Sequence, residues 1–174
     1  AFRTMAGMSK YKDPEAAVHY YAEQGYPADS VMEYLMTVAN SDFEEWRRRN
    51  PKATRSEFPF NLKKMSVSGA LFDINKLNDV SKTVIAEMDA RTVTKAVIDW
   101  AKEFRPDYYA LLSRDPDYAL GIFSIDRGNP KPRKDIAKWS DTPDYTAYFF
   151  DETFAMVDEL PENILPEDAA AILK

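Results

Sequence analysis

Helix-start punctuation recurs along this chain so often that it leaves room for little except a helical fold. Asp13-Pro14-Glu15 places an acid at an N-cap, a proline at the first helical position and a second acid in the first turn. The helix it opens is predicted to run to Gln24 and stop at Gly25, a residue suited to the left-handed end of a helix, with Ala17, Tyr20 and Tyr21 as its apolar stripe. Pro27 opens a second helix, in which Val31, Tyr34, Leu35 and Val38 fall at helical spacing. Ser41-Asp42-Phe43-Glu44 reads as a capping box for a short third helix ending near Asn50-Pro51. Asp73 is predicted to cap a strongly amphipathic helix with Ile74, Leu77, Val84, Ile85 and Met88 on one face. Thr92 is predicted to cap the next, with Val93, Ala96, Val97, Trp100 and Phe104 facing inward. Further helices are expected from Pro106, from Asp115-Pro116, around 133–139, over 143–158 and over 166–173.

Three stretches break the pattern. Phe58-Pro59-Phe60 cannot sit inside a helix, and Met65-Ser66-Val67-Ser68-Gly69-Ala70 reads as extended or looped. The run Arg127-Gly128-Asn129-Pro130-Lys131-Pro132 is a loop. Residues 1–10 carry no period, and no segment suggests a multi-strand sheet. The expected fold is mainly α, in two subdomains that meet near residues 89–92.

Composition excludes several kinds of chemistry. With no Cys there is neither a disulfide framework nor a thiolate zinc site, and one His leaves no material for a histidine metal cluster or a Ser-His-Asp triad. Five Gly are too few, and too scattered, for a glycine-rich phosphate loop. No run of 18 apolar residues is present to cross a bilayer, and the first residues lack the layout of a secretory signal. A cytoplasmic chain without a metal site or catalytic residues of its own is expected. Paired acids such as Asp151-Glu152 read as a solvated face, and His19 as a packing or surface residue.

The formal charge of −6 is unevenly divided. Residues 47–64 hold Arg47, Arg48, Arg49, Lys52, Arg55, Lys63 and Lys64 against Glu57 alone, a local +6, while residues 139–173 carry nine acids and no base. A polyanion would be drawn to the first stretch and repelled by the second. Several cations on one face can release counterions from a phosphate backbone without reading bases. The competing reading is a solvated helix face. Arg47, Arg48 and Arg49 spread over about 200° of a helix, so at most two of them can face one groove. Glu44 and Glu45 stand four residues before Arg48 and Arg49, as surface ion pairs would. Lys76 and Lys82 could straddle a backbone from the helix after Asp73, or simply decorate it. Arg127, Lys131, Arg133 and Lys134 form a second basic island on a loop. Trp100, Phe104, Tyr148 and Phe149 are read as core residues.

Ser68-Gly69-Ala70-Leu71-Phe72-Asp73-Ile74-Asn75-Lys76-Leu77-Asn78 resembles a segment found downstream of the catalytic domain in glutamyl-tRNA synthetases, written s-G-A-x-F-D-x-x-K-L. Met8-Ser9-Lys10-Tyr11-Lys12-Asp13-Pro14-Glu15 is similar to that family's KMSKS-type loop running into its next helix, although Gly7 stands where a basic residue is usual and Tyr11 replaces the usual Ser or Arg. Gly25-Tyr26-Pro27 and the helix after it resemble the family's G-Y-x-P-x-A region, and Tyr148-Phe149-Phe150-Asp151 echoes a segment of its anticodon-binding domain.

The resemblance implies the C-terminal part of a class I synthetase. Residues 1–12 would be a flexible remnant of the KMSKS-type loop, residues 13–90 a helical stem-contact subdomain, and residues 91–174 a helical anticodon-binding bundle, truncated. Ser9 and Lys10 would be the nucleotide-binding remnant, Lys10 matching the loop's second lysine, which stabilises phosphate charge during adenylate formation. Beside Arg47, Arg48, Arg49, Lys52, Arg55, Lys63 and Lys64, the cations Lys76, Lys82, Arg127, Arg133 and Lys134 would meet tRNA(Glu), and tRNA(Gln) if the parent accepts it. ATP and Mg2+ would belong to the parent enzyme and no cofactor to this piece, which would be inactive alone and a monomer, with no DNA or membrane partner. The alternative is a free-standing helical module that binds RNA or protein.

Overall fold

The structure, a computed structural model, describes residues 3–4, 13–65 and 71–154. The predicted helix over 166–173, the end of that over 143–158, and Ser9 and Lys10 lie outside the described residues. Among those described, the fold is mainly α. After a two-residue strand β1 (Arg3–Thr4) come α1 (Val18–Gln24), α2 (Ala28–Ala39) and α3 (Phe43–Arg49). Strand β2 (Leu71–Phe72) then leads into α4 (Ile74–Glu87), α5 (Ala90–Phe104), α6 (Pro106–Arg114), α7 (Pro116–Ser124) and the short α8 (Thr142–Thr146). The two strands pair antiparallel, Arg3 opposite Phe72 and Thr4 opposite Leu71.

Several local signals act as their chemistry predicts. Gly25 ends α1 in the left-handed region at φ 76°, Asp73 accepts the Asn75 N–H at 2.9 Å, and Asp115 accepts the Tyr118 N–H at 2.9 Å to cap α7. Others are displaced. Ala17 is extended, so the first predicted helix divides into a 3-10 turn at Pro14–Ala16 and α1 proper. The Ser41–Glu44 capping box does not form; buried Asn40 takes that role, its Oδ1 accepting the Asp42 N–H at 3.0 Å. A capping box stands instead at Thr54 and Glu57, where Glu57 Oε1 accepts the Thr54 N–H at 2.6 Å and those bonds lower the carboxyl pKa. Asp89, not Thr92, caps α5: the aspartate is extended, and its carboxylate accepts the Thr92 N–H at 2.9 Å and the Thr92 hydroxyl at 3.0 Å.

The core forms two clusters joined along α4. Leu77, on its first turns, packs with Tyr26, Tyr34 and Phe72, while Ile85, near its end, packs with Val93, Val97, Trp100, Leu112, Phe123 and Trp139. Helix α2 lies along α4, and α5 packs against α6 and α7. The predicted helix around 133–139 is absent. Pro130 and Pro132 hold this stretch open, and it buries Ile136, Ala137 and Trp139 against the bundle, with Ser81 Oγ donating to the Ala137 carbonyl at 2.5 Å. The Trp139 backbone N–H donates to the Gly25 carbonyl at 2.9 Å, and Trp100 Nε1 donates to the Glu23 carbonyl at 2.9 Å, so one backbone amide and one indole clasp the end of α1. Past α8 the chain turns at Ala147–Phe149 and leaves Tyr148 61% exposed, which corrects its expected place in the core. A tight turn rotates side chains off the stripe that a continued helix would have kept.

Candidate nucleic-acid interface

The basic stretch begins on α3, whose Phe43 is buried against Trp46 and Phe58 at ring separations of 5.7 and 5.1 Å. This aromatic floor turns Arg47 inward, its guanidinium 5.0 Å from the Trp46 ring centre. Arg47 Nε and Nη2 donate to the two oxygens of Glu33 at 3.0 and 2.7 Å, and Nη1 donates to the carbonyls of Asn50 and Ala53 at 3.0 and 2.5 Å. Arg55 reaches back to Asp29 at 2.7 Å and stands 3.7 Å from Glu33. Both arginines therefore tie the 50–55 turn to α2.

The rest of the cluster faces water. Arg48 and Arg49, 70% and 75% exposed, both pair with Glu45, at 2.6 and 2.9 Å. Lys64 lies 3.4 Å from Asp42, and Lys76 donates to Glu44 at 2.8 Å, linking α4 to α3. Lys52 and Lys63 are exposed and, like half-buried Lys82, form no ion pair among the described residues.

An open groove of about 880 Å3 runs between α4 and the surface made by α2, α3 and the 50–55 turn. Arg47, Arg48, Lys52, Arg55 and Lys76 line it, but so do Asp29, Glu33, Glu44, Asp79 and Glu87. Five cations meet five acids, so the groove is balanced and the local +6 of the sequence is largely cancelled in space. The excess positive charge lies outside it, on the end of α3 and the turns that carry Lys63 and Lys64. Glu33 and Asp29 were invisible to local spacing, because each reaches its arginine from another helix.

The second island divides too. Half-buried Arg127 turns inward, where Nη1 donates to the carbonyls of Ile85 and Met88 at 2.6 and 3.2 Å and Nε donates to that of Phe123 at 3.0 Å. Burial pulls its pKa below the ordinary value, and the ends of α4 and α7 gain partners for their last carbonyls. Arg133 is exposed and pairs with Asp135 at 2.7 Å. Lys134 donates to Thr83 Oγ1 at 3.0 Å, and Thr83 lines the groove, so this island reaches the far end of the same channel. Exposed His19 sits 6.1 Å from the Phe104 ring. Among the described residues no group of acids or histidines converges as a metal-holding set, and no helix is long and apolar enough to cross a membrane.

No family model and no solved structure matches the chain. Curated relatives do. The glutamate–tRNA ligase of Clostridium beijerinckii is 50% identical over 171 residues, that of Acetivibrio thermocellus 47% over 167, and that of Sorangium cellulosum 41% over 169. Each match takes in 96% of this chain and 30–31% of the relative, so the chain spans about a third of the length of the proteins it matches. At such identity over nearly every residue, the chain is a homologue of one segment of the glutamate–tRNA ligases.

Proposed function

We propose that this chain is the tRNA-gripping part of a glutamate–tRNA ligase, lying toward the C-terminal end of such an enzyme. Residues 13–90 serve as its stem-contact region and residues 91–174 as its anticodon-binding bundle. It holds tRNA(Glu) so that the acceptor end reaches residues outside this chain, which attach glutamate at the expense of ATP with Mg2+. Its contribution is orientation delivered from a remote binding surface. The single observation that carries this reading is the identity of 41–50% to those ligases over 96% of the chain.

The geometry favours a particular subset of cations for the contact. Arg48, Arg49 and Lys52 face water around the end of α3, and Lys63 and Lys64 beside its start, so several charges can track an RNA backbone by shape and phosphate. Lys76, Lys82, Arg133 and Lys134 extend the track along α4. Arg47, Arg55 and Arg127 support these side chains from within. Ser9 and Lys10 lie outside the described residues, and no step of the ATP chemistry runs through the described ones. We also read the chain as acting as a monomer in the cytoplasm.

A salt-titrated binding assay tests the reading with tRNA(Glu), tRNA(Gln) and an unrelated tRNA. Arg48→Glu/Lys64→Glu should weaken binding by about tenfold or more at low salt and flatten the salt slope by about one to two. Equal affinity of the wild type and the double variant removes α3 from the interface. Equal affinity for all three tRNAs removes the assignment to tRNA(Glu).

A further inference from the structure

Glu45 sits among the cations assigned above to RNA, three and four residues before Arg48 and Arg49 on α3. One of its carboxylate oxygens lies 2.6 Å from Arg48 Nη1 and the other 2.9 Å from Arg49 Nη2. A single anion thus holds two guanidiniums side by side with one oxygen for each, the arrangement a bound phosphate would also make.

What separates this carboxylate from Glu33 is solvent. Glu33 is 13% exposed and Arg47 23%, and further bonds to backbone carbonyls lock that pair in place. Glu45 is 46% exposed and its arginines 70% and 75%, and among the described residues their guanidinium groups make no other ion pair. Exposed pairs of this kind are weak and screened by salt. Guanidinium–phosphate contacts are strong and often two-pronged, so an arriving phosphate can take the arginines over.

We propose that Glu45 is a built-in phosphate surrogate that competes with RNA for Arg48 and Arg49 and so sets the affinity and salt response of this surface. The proposal rests on the reading that α3 meets tRNA. While Glu45 holds both arginines, it cancels one of their two charges. A phosphate that enters then displaces a tethered carboxylate in place of a released counterion, and the salt slope falls below the number of cations engaged.

The test measures tRNA(Glu) binding to this chain across a salt series for the wild type, Glu45→Gln, Glu103→Gln, Arg48→Gln and the Glu45→Gln/Arg48→Gln pair. Glutamine keeps the length and hydrogen-bonding capacity of the side chain while removing its charge. Glu103, exposed on α5, supplies the same change in net charge away from the cluster. Glu45→Gln should tighten binding about two- to fivefold at low salt and steepen the slope, and Glu103→Gln should leave both near wild type. The gain should shrink when Arg48 is also replaced. A gain of equal size in Glu103→Gln, or none in Glu45→Gln, overturns the role of Glu45 while leaving the proposed function intact. Failure of every form, the wild type included, to bind tRNA overturns both.

Discussion

Three glycines provide a graded test of how α1 is held. Gly25 has φ 76°, and a Cβ built there would lie 2.6 Å from Trp139 Cβ and 3.0 Å from Trp100 Nε1. Gly128 has a similar φ of 80° with nothing within 4 Å, and Gly121, inside α7, has ordinary helical geometry and nothing within 4 Å. Alanine at Gly128 therefore suffers backbone strain alone, about 1 kcal/mol. Alanine at Gly121 should stabilise by about 0.5–1 kcal/mol, because helical glycine costs that much relative to alanine. Alanine at Gly25 carries the strain of Gly128 plus the cost of pushing Trp139 out of a packed site, roughly 1–3 kcal/mol. Displacing Trp139 also endangers the bonds from its backbone N–H to the Gly25 carbonyl and from Trp100 Nε1 to the Glu23 carbonyl. The expected loss is about 3 kcal/mol. Urea titration followed by tryptophan fluorescence measures all three substitutions against the wild type. If Gly25→Ala costs no more than Gly128→Ala, the two tryptophan residues do not clasp the end of α1 and the reasoning fails.

Two further outcomes are expected. Arg47→Ala leaves Glu33, in a site 13% exposed, with the more distant Arg55 at 3.7 Å and strips the Asn50 and Ala53 carbonyls of a donor, so denaturant titration should show a loss of about 2–4 kcal/mol. Arg47→Lys should recover only part of this, since an ammonium cannot match the two-pronged contact. Bonds from the Thr92 N–H and hydroxyl lower the Asp89 pKa in the folded state, so the charged cap stabilises above its unfolded pKa and that support is lost as pH falls through the lower folded value. Asp89→Asn should reduce the melting temperature at neutral pH and converge with the wild type in acid. A difference that stays constant from pH 7 to about pH 2.5 would contradict the assignment.

What the sequence disclosed was local, and what it hid was distant. Pro106, Asp115-Pro116, Asp73 and Gly25 mark helix ends through the chemistry of the neighbouring peptide groups, and those ends lie where that chemistry puts them. Residues 133–139 bear no such marker, and their extended path is chosen by the pocket that receives Ile136 and Trp139. The arginines follow the same division. The pair of Glu45 and Arg49 was legible from spacing, but the expected pair of Glu44 and Arg48 does not form, because Glu44 turns to Lys76 on α4 and Arg48 shares Glu45. Arg47 and Arg55 find their acids on α2, across separations that no helical period encodes. The exposed cations Lys52 and Lys63 could be recognised as cations, but their lack of a partner among the described residues is a property of the fold.

Helix α4 has a mechanical consequence of its own. Leu77 and Ile85 stand about 12 Å apart along one stiff rod, each planted in a different cluster. A load applied beside Lys76 is thus passed to the neighbourhood of Trp139 with no flexible joint between them. Severing the polypeptide at Met88 would leave the downstream bundle without Ile85, one of its inner faces, and would orphan the carbonyl ends that Arg127 grips. The two clusters are built around a common beam, and force or heat delivered to one of them is felt by the other.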